Sequence, residues 1–244
     1  MTPRFYCPPA ALDHCIAGTE FTLPPEAAHH AGRVLRMRVG DALVVFDGEG
    51  QSFAGHLTQV GRDVVMHVDT AIAASREAPL AITLVQALAV ADKMDWIVQK
   101  AVELGVHAIQ PVAAERSVLR LDGERAHKRV AHWAQVAQSA AEQSGRDRLT
   151  AVAPIVSLAA WLSAGFAGQR WILDPEAGAP LRQQAPPPGP IALLIGPEGG
   201  WSAAELAAAR SAGCTPITLG PRILRTETAG LAATAAMMAL WGDF

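Results

Sequence analysis

Two successive stretches near the C-terminus each read strand, glycine, short loop, helix, and this pairing constrains the fold more than any other feature. Residues 191–195 (IALLI) are an unbroken apolar run, as a strand needs when both of its faces are covered. The run ends in Gly196-Pro197-Glu198-Gly199-Gly200. Ser202-Ala203-Ala204-Glu205 then opens a helix with the pattern of a capping box, and Gly213 can end that helix. Residues 216–219 form a second strand, which passes into Gly220-Pro221-Arg222-Ile223-Leu224-Arg225-Thr226-Glu227-Thr228 and a last helix carrying Leu231, Met238 and Trp241. Strands alternating with helices build a mostly parallel sheet, and in open sheets of this kind ligands bind beyond the carboxyl ends of the strands. Glycine at such an end lets a ligand approach the backbone. One such loop is also an ordinary tight turn. Two adjacent ones, with Glu198, Arg225 and Glu227 beside them, point to a site.

The same alternation extends upstream. Residues 81–88 are a nearly continuous apolar strand. Met94, Ile97, Val98, Ala101 and Val102 mark a helix, with Asp92 as its cap and Gly105 as its terminator. Residues 107–112 predict a strand, 124–143 a long helix with Trp133 on its apolar face, 171–173 a strand end, and 177–190 a surface loop rich in Pro, Gly and Gln. Before residue 72 the pattern is different. Residues 42–46, 52–60 and 64–68 predict short strands, the first two joined by the turn Asp47-Gly48-Glu49-Gly50. The 244 residues thus divide into a small β-rich module, 1–72, and an α/β domain, 73–244, with a linker across 71–79.

Several function classes drop out. There is no G-x-x-x-x-G-K-[ST] phosphate loop, no G-x-G-x-x-G after the first strand of the α/β domain, and no G-x-S-x-G elbow. The eight histidines are scattered, and the three cysteines (Cys7, Cys15, Cys214) lack metal-ligand spacing. They read as small buried hydrophobes in a reducing, cytoplasmic setting. No run approaches the 18 apolar residues of a membrane span, and the first fourteen residues lack the apolar core of a signal peptide. The net charge of −3 gives no global pull toward nucleic acid, but the basic residues are clustered. Residues 116–148 hold seven of them against four acids, and Arg33, Arg36 and Arg38 follow His29 and His30. Such patches are either solvated faces or phosphate contacts.

IGPEGGWSAAE (195–205) and LGPRILRTETAGLAA (219–233) resemble the paired signatures of the RsmE family of ribosomal RNA methyltransferases, in the SPOUT class. KMDWIVQKAVELGV (93–106), ERSV (115–118), AAEQSGR (140–146), HHAGRVLRMRVGD (29–41) and FDGEG (46–50) also match, in the family's order and across nearly the whole chain. The sequence departs from the family at residues 89–92 (AVAD), where a more polar, lysine-bearing stretch is usual.

The resemblance implies a PUA-like barrel that helps hold RNA, followed by a SPOUT-type parallel sheet with a C-terminal trefoil knot, acting as a homodimer. The knot is an implication of the family alone, since chains by default are unknotted. The implied activity is transfer of a methyl group from S-adenosyl-L-methionine to ring nitrogen three of a uridine in 16S ribosomal RNA. Cofactor contacts are expected from three loops: the one after Leu173, the one at Ile195, Gly196, Gly199 and Gly200, and the one at Leu219, Gly220, Leu224 and Thr226. Arg225 is the candidate for stabilising charge on the uracil oxygens. Glu198 and Glu227 are candidates either for accepting the imide proton or for capping backbone N–H groups. Arg4, Arg33, Arg36 and Arg146 are candidates for positioning RNA. Two rivals remain: a non-catalytic RNA-binding or assembly protein of the same fold, and an enzyme that uses the loops for a phosphorylated nucleotide.

Overall fold

Strands buried on both faces organise the larger part of the molecule. In a computed structural model, which describes residues 2–13, 15–73 and 76–244, Ile191–Ile195 is buried at every position and pairs in parallel with Ile82–Ala87. Ala74 and Ser75, within the expected linker, lie outside the described residues.

The chain divides into two compact units, residues 1–77 with 141–149 and residues 78–140 with 150–244. The expected boundary after residue 72 differs from this division in two respects: the first unit runs on to 77, and it takes in a distant segment.

In the first unit β1 (Arg4–Tyr6), α1 (Pro9–Leu12), β2 (Glu20–Thr22), α2 (Pro25–His29), β3 (Ala42–Phe46), β4 (Ser52–Val60) and β5 (Val64–Ala71) form a five-stranded sheet in the order β1-β3-β4-β5-β2. All pairings are antiparallel except β1 with β3. Phe5, Leu43, Val45, Leu57 and Met66 fill its core. The turn after β3 forms as its sequence requires, with Asp47 Oδ1 accepting from the N–H groups of Glu49, Gly50 and Gln51. Segment 141–149 joins the unit through polar bonds. Glu142 accepts from the Tyr6 N–H, Arg4 pairs with Asp147, and Glu77 receives the Arg146 guanidinium at 2.7 Å and the N–H groups of Asp147 and Arg148 at 3.0 Å. The three cysteines are buried and free; burial pushes the Cys7 thiol up to about 12, so it stays protonated and unreactive.

The second unit contains β6 (Ile82–Ala87), α3 (Ala91–Glu103), β7 (Ala108–Ala113), α4 (Gly123–Ser144, whose last turn belongs to the first unit), β8 (Ala151–Val152), β9 (Val156–Ser157), α5 (Leu158–Ala164), β10 (Gln169–Leu173), β11 (Ala179–Pro180), β12 (Ile191–Ile195), α6 (Ala203–Ser211), β13 (Thr215–Thr218) and α7 (Thr226–Trp241). The sheet order is β11-β13-β10-β12-β6-β7-β8, with β9 also on β7, and every pairing is parallel. Met94, Ile97, Val98, Ala101 and Val102 are all buried, as the helical spacing requires. Asp95 on α3 ties down α4, accepting from the Trp133 indole at 3.1 Å and lying 2.7 Å from His132 Nε2. Helix α7 lies close to the sheet because Gly230 faces it; a Cβ there would meet Leu84 at 3.1 Å and Ile195 at 3.2 Å. No described helix is long and apolar enough to cross a membrane.

Candidate functional site

Parallel pairing places the carboxyl ends of neighbouring strands on one edge. Strand β10 sits between β12 and β13, so the three loops that follow these strands emerge side by side. They enclose a pocket of about 530 Å³, within the range of cofactor sites. Leu173, Ile195, Leu219 and Leu224 supply apolar walls, and Gly196, Gly199 and Gly200 expose backbone to it. Arg225, Thr226 and Glu198 also line it. Two expected residues lie just outside the lining. Gly220 makes the bend after β13 at φ +129°, a conformation that side chains rarely adopt, and Glu227 stands behind the wall next to Lys93.

The loops are fixed to one another by specific bonds. Thr226 Oγ1, at the start of α7, donates to the Gly196 carbonyl at 2.6 Å and accepts from Gln86 Nε2 at 2.9 Å. Both glycine loops and β6 therefore meet at one hydroxyl. The capping box expected at α6 is complete: Ser202 Oγ accepts from the Glu205 N–H, and Glu205 Oε2 from the Ser202 N–H. The other oxygen of Glu205 accepts from the Glu115 N–H at 2.8 Å, and Arg116 donates to the carbonyls of Gly199 and Trp201. The third loop is closed on Asp174, which accepts from the N–H groups of Glu176 and Ala177 and from Arg210.

Glu198 and Glu227 face the same cation. Lys93 Nζ lies 3.4 Å from Glu198 Oε1, and 3.1 Å from Glu227 Oε2 although off the angle of a hydrogen bond. Glu198 also accepts from the Val90 N–H at 3.2 Å. Val90 is the N-cap of α3, so a carboxylate more than a hundred residues away caps the helix that Asp92 was expected to cap. The Glu227 carboxylate, aided by Glu198, holds the Lys93 ammonium above its usual range against the opposing pull of desolvation. Desolvation pulls the Glu227 carboxyl up, but its own backbone N–H, Lys93 and Arg225 outweigh it and hold it below the usual carboxylate range. The Arg225 side chain is exposed at the pocket and makes no hydrogen bond or ion pair among the described residues.

The four arginines expected at RNA separate into two kinds. Arg33 and Arg36 are exposed on the turn after α2, where Arg36 adopts φ +54°. Arg4 and Arg146 are placed otherwise than expected. Their side chains are only 10% and 6% exposed and engaged with Asp147 and Glu77, so neither guanidinium is free for a phosphate. Lys93, Arg116 and Gln86 carry site structure that the sequence did not assign. Lys93 and Arg116 lie within the KMDW and ERSV stretches, so a motif signal existed without a role. Among the described residues no group of His, Cys, Asp or Glu is arranged to hold a metal.

Residues 76–238 match the family model described as RNA methyltransferase domain, and residues 23–64 match the RNA methyltransferase PUA domain. The ribosomal RNA small subunit methyltransferase E of Bacillus subtilis is 33% identical over 227 residues, 89% of each chain. The chain belongs to the methyltransferase E family. A structure of the methyltransferase E of Neisseria gonorrhoeae bound to S-adenosyl methionine superimposes with a TM-score of 0.92 at 41% identity, covering all of both chains. A methyltransferase of Legionella pneumophila in complex with the same cofactor gives 0.92 at 34% identity, again over both full chains. The fold is thus a PUA-like module and a parallel α/β sheet, as the resemblance implied.

Proposed function

We propose that this chain transfers a methyl group from S-adenosyl-L-methionine to ring nitrogen three of a uridine in 16S ribosomal RNA. The observation that carries the reading is the convergence of the three loops on one pocket, in a chain whose relatives bear this name. The residues present fit the cofactor. The pocket has the right size, its walls offer apolar side chains against backbone N–H and C=O groups, and Gly196 keeps open a cradle that a Cβ would fill 3.3 Å from the Trp201 ring. When bound, the cofactor supplies an electrophilic methyl group on a sulfonium.

The residues of the chain then act by position and charge. Backbone groups near Leu219 and Leu224 hold the adenine between apolar side chains, and the Gly196–Gly200 bend orients the rest. Arg225, free and exposed at the rim, stabilises the negative charge that spreads onto the uracil oxygens as the imide proton leaves. Glu198 takes the second of the two roles expected of it, bonding the Val90 N–H, whereas Glu227 is engaged with Lys93. The Glu227 carboxylate, kept below its usual range, is a weak proton acceptor. Arg33 and Arg36 contact the RNA backbone, and Arg4 and Arg146 keep the first unit together. The trefoil knot, a homodimer and a cytoplasmic location belong to the same reading.

Incubation of the protein with 16S RNA or small subunits and the cofactor, followed by nucleoside mass spectrometry, is expected to yield N3-methyluridine. Methylation confined to another base, or none at all, would refute the proposal. Calorimetry with S-adenosyl-L-methionine against ATP separates it from the phosphorylated-nucleotide rival.

A further inference from the structure

Lys93, Arg225 and Glu198 line the pocket, Glu227 stands just behind Lys93, and the pairing of the four is uneven. Lys93 takes both carboxylates, at 3.4 Å and 3.1 Å, while Arg225 takes neither. Yet Arg225 follows directly on Leu224 in the loop that leads to Glu227, and its charge is felt at the Glu227 carboxyl. The three charged partners also come from three different strand–helix connections: Lys93 from the helix after β6, Glu198 from the loop after β12, and Glu227 from the helix after β13. Ion pairs with carboxylates are favoured by guanidinium geometry over ammonium geometry, so an unshielded Glu227 would draw Arg225 to itself.

We infer that Lys93 is a positioning residue of the reaction: by occupying Glu198 and Glu227, it keeps the Arg225 guanidinium unpaired and available to the substrate. The inference rests on the function proposed above. Lys93 lines the pocket beside Glu198 and is not among the residues expected to hold the adenine, near Leu219 and Leu224. Its removal therefore acts on turnover through Arg225 and leaves the cofactor's hold on the glycine loops in place. All three groups of the two ion pairs are partly exposed, with Lys93 and Glu198 each 25% and Glu227 19% accessible, so the side chains have room to change partners.

The test compares the parent chain with Lys93→Met, Lys93→Gln, Lys93→Arg and the double variant Lys93→Met/Glu227→Gln. Lys93→Met is expected to lower kcat at least tenfold while the calorimetric Kd for S-adenosyl-L-methionine changes less than threefold. Lys93→Arg retains most of the turnover. The double variant recovers most of what Lys93→Met loses, because the carboxylate that captures Arg225 is gone. A crystal structure of ligand-free Lys93→Met is expected to show Arg225 within 4 Å of Glu227. A double variant no better than Lys93→Met, equal losses in kcat and cofactor affinity, or an Arg225 that stays unpaired in that crystal would overturn the inference. So would failure of both Lys93→Met and Lys93→Gln to fold, which would make Lys93 a structural strut. If the parent itself methylates no uridine, the proposed function fails, whereas the crystal structure still decides whether Lys93 holds Arg225 free.

Discussion

Replacing Thr226 by valine removes one oxygen and nearly nothing else, and three chain segments depend on that oxygen. The hydroxyl donates to the Gly196 carbonyl at 2.6 Å and accepts from Gln86 Nε2 at 2.9 Å. Thr226 is 6% exposed and Gln86 is fully buried, so water cannot fully replace either bond. Gln86 Nε2 keeps a second acceptor, the Ala87 carbonyl at 3.0 Å, so the greater loss falls on Gly196. A buried polar group left unsatisfied costs about 1–3 kcal/mol and a lost hydrogen bond about 1 kcal/mol, which together put Thr226→Val at about 2–4 kcal/mol. Thr226→Ser keeps the oxygen and sheds a methyl group, at about 1 kcal/mol. Urea denaturation measures both, read from midpoints at constant slope. Because Gly196 lines the pocket, Thr226→Val is also expected to weaken cofactor binding, and Thr226→Ser is expected to spare it. A valine variant as stable as the serine variant would refute the idea that this hydroxyl joins the two glycine loops.

Gly196→Val places side-chain atoms against the Trp201 ring, 3.3 Å from the Cβ position, and is expected to lower cofactor affinity at least tenfold by calorimetry; unchanged affinity would remove this bend from the site. Substituting Arg33 and Arg36 together with alanine should flatten the plot of log K for RNA against log salt by about 1–2, as one or two phosphates lose their partners. Arg146→Met should leave that slope alone and destabilise the protein by about 1.5–3 kcal/mol, because Glu77, only 16% exposed, loses the charge-assisted hydrogen bonds of the guanidinium. The Lys93–Glu227 pair has a defined pH window. Glu227 is lowered from the ordinary 4.5, so its share of stability is present above that value and is lost as pH falls through its folded value. Lys93 is raised from 10.5, so its share is complete below that value and is lost as pH rises through its folded value. The difference in melting temperature between the parent and Glu227→Gln should therefore be flat through neutrality and shrink at both extremes; a change between pH 6 and 8 would contradict the pairing.

What could be read from the sequence was local. The capping box at Ser202 and Glu205 spans four residues, and the structure shows both of its bonds. Gly105 was legible as a helix terminator and has φ +83°. Residues 191–195 were legible because five buried apolar residues in a row leave a parallel strand few alternatives. What escaped was carried by partners far apart in the chain. Asp92 was expected to cap α3, but the helix starts one residue before it with Val90 at the N-cap, and the Val90 N–H goes to Glu198. Arg4 and Arg146 looked like surface charges because Asp147 and Glu77 are 143 and 69 residues away from them. The short strands β1, β2, β8, β9 and β11, of two or three residues each, are too brief for alternation to show, and helix α5 was not legible either.

The participation of residues 141–149 in the first unit affects how that unit comes into being. A ribosome releases Arg4 and Tyr6 before residues 78–140 of the other unit, and their partners Asp147 and Glu142 emerge only after that segment. At about 5–20 residues per second, that segment alone imposes a wait of about 3–13 s. During synthesis the module therefore waits for the partners of Arg4 and of the Tyr6 N–H, and a fragment ending at residue 72 would lack both of them for good.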